Sequence, residues 1–218
     1  MVNNSVLMVG PLDTLRALFA LAGTEIFWLS ILSSLMRVFS GFFLALALGL
    51  LFASLALFKP FYMLVLPMFN VIKSIPVASF VIIAIIWVGS ANLVVFIAFI
   101  TVWPIIFFNA YEGLKATDKD LLEMADFFNV SFFKKVRYIY YRELLPHMVS
   151  AINTGFGFAW KSGIAAELIG ITRDSIGFHL HTARVFLQTA DLFAWTFTIV
   201  ILSYSIEKIF FWIFKERN

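Results

Sequence analysis

The chain has 218 residues, of which 62% are hydrophobic and 13% charged, with a formal net charge of +3 at pH 7 and no cysteine. Soluble domains carry about 45–50% apolar and about 25% charged residues, so this composition excludes a soluble globular protein, a disordered chain and a disulfide scaffold. We therefore predict a polytopic membrane protein, without thiol chemistry or thiolate metal sites because cysteine is absent.

Five stretches are long and apolar enough to cross a bilayer as helices, at about 38–58, 60–88, 93–111, 146–170 and 192–214. The second should bend at residues 73–76, where Pro76 removes a backbone hydrogen bond. It should end at the turn-like cluster 89–92. Residues 26–36 are apolar but short, so we expect a lead-in to the first span rather than a separate crossing. The expected fold is one all-α domain, residues 1–218.

The distribution of Lys and Arg predicts the orientation of these spans, because cytoplasmic loops of membrane proteins are enriched in both. If the loop between spans three and four lies inside, ten of these residues fall on the inner side and three on the outer side. The inner ten are Lys59, Lys115, Lys119, Lys134, Lys135, Arg137, Arg142, Lys208, Lys215 and Arg217. We therefore expect the protein to lie in the inner membrane of the cell, with its N-terminus outside and its C-terminus in the cytoplasm.

Residues 115–145 are predicted to form a cytoplasmic elbow of two helices. Acidic residues from 118 to 126 open the first helix, where they complement the helix dipole, and Asn129 can adopt the left-handed conformation that ends it. Ser131 should cap the second helix, which is expected to stop at Pro146. Apolar side chains at Phe127, Phe128 and Val130 indicate a docking surface. The alternative is a solvated loop folded back on the bundle.

This elbow resembles the coupling motif of ATP-binding-cassette importer permeases. The matching residues are Glu123-Met124-Ala125, Asn129, Ile139 and Pro146, although Met124 replaces a small residue and Asn129 a glycine. Further segments are similar to landmarks of the nitrate, sulfonate and taurine-type permeases, and the similarity runs from about 3 to 215. These segments are 34–42, 73–78, 86–89, 159–160, 166–167 and 175–177.

The resemblance implies a permease that is not itself an enzyme. Its 119–130 helix would dock on a separate ATPase pair, which binds ATP and Mg²⁺, while this chain holds no cofactor or metal and lacks a phosphate-binding loop. The implied coupling residues are Glu123, Met124, Ala125, Phe127, Phe128, Asn129 and Val130. Other implied partners are a second copy of the chain, an extracytoplasmic solute-binding protein and membrane lipid, with no nucleic acid. Because family members carry a span before the region that matches Asn3, one expectation is that the native gene encodes a further N-terminal helix. The other is that five spans are complete.

Charged residues inside spans are candidates for the translocation path, since they are rare there and usually functional. The candidates are the charged residues Lys161, Lys73 and Glu167, together with the neighbouring Trp160. Lys161 could attract an anion, or it could pair with Glu167 or extend to the membrane interface. Lys73, beside the bend at Pro76, could line a cavity or lie at the cytoplasmic interface. The resemblance implies a substrate such as a sulfonate, nitrate, bicarbonate or a vitamin precursor.

Two other functions remain open on the sequence. One is an ion-coupled secondary transporter or channel without an ATPase, although no inverted repeat is detectable and Glu167 is the only serious intramembrane acid. The other is an intramembrane enzyme, for which the spans offer no paired acids or histidine cluster. His179 and His181 are two residues apart and would point to different faces of a helix, so a metal clamp is not expected there.

Overall fold

The computed structural model describes residues 9–215, except for the side chains at 211 and 213–215, and no strand occurs within that range. The helices are α1 (Pro11–Ala22), α2 (Glu25–Leu55), α3 (Lys59–Ser74), α4 (Val77–Lys115), α5 (Lys119–Phe127), α6 (Phe132–Lys135), α7 (Tyr141–Gly170), α8 (Ile176–Val185) and α9 (Thr189–Lys215), with a π-helical turn, Val136–Tyr140, before α7. The predicted all-α fold class is confirmed.

Three of these helices are long and apolar enough to span a bilayer by length and composition: α2, α4 and the Thr189–Phe210 part of α9. The 39-residue α4 is not continuous, because Gly89 has a left-handed φ of 72° and a ψ of 164° that divide it into two arms. Both predicted interruptions of the second span are therefore present, one between Ser74 and Val77 and one at Gly89. The count of five crossings stays a prediction.

The central contacts are those of α4 with α2 and α7. Glycines on α2 allow α4 to approach closely: a Cβ added at Gly41 would lie 2.4 Å from the Val95 carbonyl oxygen, and one at Gly49 would lie 2.6 Å from Ile106 Cγ2. Small residues of this kind let membrane helices pack backbone to backbone. The core beside them contains Phe42, Ile106 and Phe156, all nearly inaccessible to solvent.

One expectation about the helix boundaries was wrong. Pro146 does not end a helix, because α7 continues through it from Tyr141 to Gly170. A proline removes one backbone hydrogen bond, whereas ending the helix there would leave further backbone groups unsatisfied in an apolar surrounding. Residues 26–36 form the first turns of α2, continuous with the first predicted span, as expected of a lead-in rather than a separate crossing. The short helices α1 and α8 were not predicted.

Candidate functional site

The predicted elbow is present, and its first helix has well-defined ends. The Asp118 side chain caps α5 by accepting a hydrogen bond from the Asp120 amide at 2.8 Å. At the other end Asn129 has a φ of 53°. The Val130 amide donates to the Ala125 carbonyl at 2.9 Å, and the Asn129 amide donates to the Asp126 carbonyl at 3.0 Å. This pair of bonds is the Schellman arrangement that closes a helix with a left-handed residue.

The elbow presents a cluster of exposed apolar side chains, here called the elbow surface: Met124, Phe127, Phe128, Phe132 and Phe133. Phe127 is 82% exposed and Phe128 is 69% exposed. Glu123 and Asn129 are also exposed, and Val130 is half-buried. Ala125 is only 6% exposed, so it packs inside the elbow instead of contributing to this surface.

An ion pair between Asp126 and Lys135 connects the two arms of the elbow. Ser131 lies at the first position before α6, as predicted, but its side chain makes no capping bond. Its carbonyl oxygen instead accepts from the amides of Lys134 and Lys135, at 3.0 and 3.1 Å. The turn between the two arms of the elbow is thus closed by backbone bonds and one ion pair.

Lys73 lines a cavity of about 310 Å³ at the break between α3 and α4. Its ammonium lies 4.3 Å from the centre of the Phe108 ring, a cation–π contact. The cavity wall is otherwise mostly apolar, with threonines at 101 and 154. The Thr101 hydroxyl is already engaged with the Ile97 carbonyl at 2.8 Å and the Ser162 hydroxyl at 3.0 Å.

The other path candidates lie in different surroundings. Lys161 is exposed on α7 and makes no ion pair within the described part of the chain, so the pairing with Glu167 is not formed. It is seven residues from Thr154, which places both on one exposed strip of α7. Trp160 is buried, and its indole N–H donates to the Ile199 carbonyl of α9 at 3.3 Å.

Glu167 is fully buried where α2, α7 and α8 meet. Its Oε2 accepts from the Ser34 hydroxyl at 2.9 Å and from the Gly177 amide at 3.1 Å. Ser34 in turn accepts from the Ile176 amide at 3.0 Å, so the first turn of α8 is held by two side chains from other helices. A Cβ at Gly177 would lie 2.3 Å from Glu167 Cβ, which explains the glycine at this contact.

Sequence reasoning missed two groups of polar residues. Ser34 was noted only as part of a family-like segment, and its bond to Glu167 joins positions 133 residues apart. A second cavity, of about 430 Å³, is lined by Asn153, Thr154, Glu207 and Lys208 together with two aromatic residues. The signal that could have found it is Glu207, an acid inside the otherwise apolar stretch 192–214.

The chain is similar to known membrane permeases. The sequence model of a family described as "Binding-protein-dependent transport system inner membrane component" matches residues 45–215. An aliphatic sulfonates transport permease protein of Bacillus subtilis, SsuC, described as putative, is 27% identical over 74% of this chain and 59% of its own length. The taurine transport permease TauC of Escherichia coli is 23% identical over 90% of this chain and 74% of its own length.

Two further similarities extend this result. The bicarbonate transport permease CmpB of Synechococcus elongatus is 29% identical over 72% of this chain and 57% of its own length. A crystal structure of an amino acid ABC transporter with histidines superposes with a TM-score of 0.70, covering 97% of this chain and 100% of that one at 15% identity, which supports the fold. Since the family match covers most of the chain, the chain belongs to the binding-protein-dependent transport system inner membrane components, the permeases of ABC importers.

Proposed function

We propose that this chain works as a homodimer that forms the translocation path of an ATP-driven importer, coupled through residues 119–130 to a separate ATPase. ATP and Mg²⁺ would bind to that ATPase and not to this chain. An extracytoplasmic solute-binding protein would deliver the substrate at the opposite face. In this arrangement the elbow and the C-terminus lie in the cytoplasm, as the excess of Lys and Arg on that side favours.

The observation that carries the proposal is the elbow surface. Phe127 and Phe128 project from a helix end that two backbone bonds and an ion pair fix in place. Exposed aromatic side chains on a segment this polar are unfavourable in water and typical of docking surfaces. Closure of an ATPase pair would move the two elbows of a dimer and shift the equilibrium between two orientations of the path.

The proposed substrate is a small anion or an organic solute with an anionic group. The names of the relatives include sulfonates, taurine and bicarbonate, which carry or form anionic groups. In this chain Lys73 and Lys161 supply positive charge on exposed surfaces of the spans, and neither makes an ion pair within the described residues. Positive charge in a path favours anions.

The coupling proposal is tested by purifying the protein gently from its native membrane and quantifying the associated chains by mass spectrometry. Wild type should carry an ATPase in near-equal amount. Phe128→Asp should lower the amount of bound ATPase about tenfold or more, because a charged side chain cannot fill an apolar docking pocket.

The matched control is Tyr138→Asp, which places the same charge at an aromatic residue that is 68% exposed, against 69% for Phe128. We expect this variant to retain the ATPase. Equal retention by Phe128→Asp, or a wild-type preparation with no ATPase, would contradict the proposal and direct attention to ion-coupled transport.

A further inference from the structure

The cavity beside Lys73 lies midway along a broken crossing. Sixteen residues of α3 precede the break, and the first arm of α4 extends from Val77 to the Gly89 kink. At 1.5 Å per residue these two arms measure about 24 Å and about 18 Å. If together they cross the bilayer, the cavity lies between the two membrane surfaces, where the two arms meet.

Lys73 brings to this cavity a positive charge that no ion pair within the described residues compensates. Both ion pairs in the described part of the chain lie elsewhere, between Arg16 and Asp13 and between Lys135 and Asp126. The Lys73 ammonium lies over the face of the Phe108 ring, 4.3 Å from the ring centre. A ring face offsets only part of the cost of a cation away from water, and an anion would offset more of it.

The rest of the wall determines what kind of anion fits. Phe80, Ile100, Ile105 and Phe158 provide apolar surface, while Thr154 adds a hydroxyl. The volume of about 310 Å³ is at the lower end of the range of ligand-binding pockets, about 300–1,000 Å³. A bare inorganic anion would leave this apolar wall uncovered, whereas a solute with a short hydrocarbon body would cover it.

We propose that this cavity is a binding site within the membrane for an amphipathic organic anion, whose charged group pairs with Lys73 and whose apolar body packs on Phe80, Ile105 and Phe158. This inference rests on the proposed function as a solute path, since it specifies a substrate class for it. A path lined only by positive charge would exclude cations without distinguishing one anion from another. The apolar wall of this cavity would also favour anions that carry a hydrocarbon body.

The test is direct binding to the full-length permease, purified with whatever chains accompany it, in nanodiscs of phosphatidylcholine. The probe is sodium 1-hexanesulfonate, titrated by calorimetry below the concentration at which it forms micelles. We expect saturable binding that Lys73→Gln weakens about tenfold or more and that Lys73→Arg largely retains. Inorganic sulfate, which lacks the apolar body, and hexyltrimethylammonium, which reverses the charge, should each bind at least about tenfold more weakly.

Lys115→Gln is the matched control, because Lys115 also lies over an aromatic ring, 5.7 Å from the centre of Tyr111, but does not line the cavity. It should leave hexanesulfonate binding unchanged. The proposal is overturned if wild type shows no saturable binding, if Lys73→Gln binds as wild type does, if Lys115→Gln weakens binding equally, or if hexyltrimethylammonium binds as well as hexanesulfonate.

Two additional measurements separate this proposal from others. Loss of hexanesulfonate binding in nanodiscs that contain phosphatidylglycerol would identify an anionic lipid as the occupant and overturn the solute site. The amount of ATPase that accompanies Lys73→Gln should equal that of wild type. A failure of coupling is thereby distinguished from a failure of this site.

Discussion

At the scale of single residues, Glu167 and Ser34 form a buried polar group that joins three helices. Ser34 donates to the Glu167 carboxylate at 2.9 Å and accepts from the Ile176 amide at 3.0 Å. One hydroxyl therefore joins α2, α7 and the start of α8. Two atoms in this region, Glu167 Oε1 and Arg37 Nη1, are buried without a hydrogen-bond partner among the residues that the structure describes. Because unpaired buried polar atoms are costly, the group depends on the bonds it does make.

We predict that Ser34→Ala destabilises the protein by about 1–3 kcal/mol, because it leaves the Ile176 amide and one carboxylate oxygen of Glu167 with fewer partners in a buried site. The measurement is the thermal unfolding temperature in detergent, followed for both proteins under the same conditions.

Ser40→Ala is the control on the same helix, since the Ser40 hydroxyl donates to the Met36 carbonyl of its own helix, at 2.7 Å, and is exposed. It should change stability little. If the two variants have equal unfolding temperatures, the Ser34 bonds do not hold α8 in place.

Asn129 and Ser34 illustrate which residue-level features can be predicted from the sequence and which cannot. Asn129 was predicted to adopt a left-handed conformation from local chemistry alone, and its φ of 53° confirms this. The bond between Ser34 and Glu167 could not be predicted, because it depends on how distant helices pack. One amino-acid sequence taken alone contains no signal that pairs two positions 133 residues apart.

At the scale of elements, α8 is the clearest addition to the predicted architecture. This ten-residue helix lies between α7 and α9, outside the segments that we treat as spans. His179 on α8 contacts α2 and α9: its Nε2 lies 3.0 Å from the Ser30 hydroxyl, and its ring stacks on Trp195 with 4.8 Å between centres. Burial lowers the pKa of the His179 imidazole below its ordinary value, while the Asp174 carboxylate acts in the opposite direction.

We predict that the contacts of α8 weaken in mild acid. The unfolded chain binds a proton at His179 near its ordinary pKa of 6.5, whereas the folded chain does so only at lower pH. Stability is therefore full above about pH 6.5 and falls as the pH decreases toward the folded-state pKa. Unfolding temperatures measured between about pH 7.5 and about pH 5.5 should show this decrease in wild type.

His179→Gln should make the decrease smaller, because the titrating group is gone while a side chain able to bond Ser30 remains. His181→Gln, two residues along the same helix, should keep the wild-type profile. Identical profiles for wild type and His179→Gln would show that another group causes the acid sensitivity.

The elements differ in how readily they are predicted. Long apolar runs predicted long helices, and the breakers Pro76 and Gly89 predicted the interruptions between Ser74 and Val77 and at Gly89, since these effects are local. α1 was missed because its residues are only moderately apolar. Pro146 was misread as a helix end because local propensity competes there with the requirement that backbone groups in an apolar environment stay bonded.

At the scale of the whole molecule, α7 connects the elbow to the buried polar group of Glu167 and Ser34. Its first residues belong to the second arm of the elbow, Glu167 lies in its last turn, and its 30 residues extend for about 45 Å. Thr154 and Lys161 lie along the same helix, on one exposed strip. A movement imposed on the elbow would therefore be carried by one continuous helix past the candidate path to the contacts of α8. This placement is what a coupled transporter requires.

The central claim, that the elbow surface docks on an ATPase, can be tested directly because the chain contains no cysteine. Phe128→Cys supplies a single thiol, which can be labelled with a benzophenone maleimide in native membranes, illuminated, and its products identified by mass spectrometry. Our account predicts a covalent product with an ATP-binding chain, absent from the thiol-free wild type. Products confined to lipid or to other parts of this same chain would contradict it.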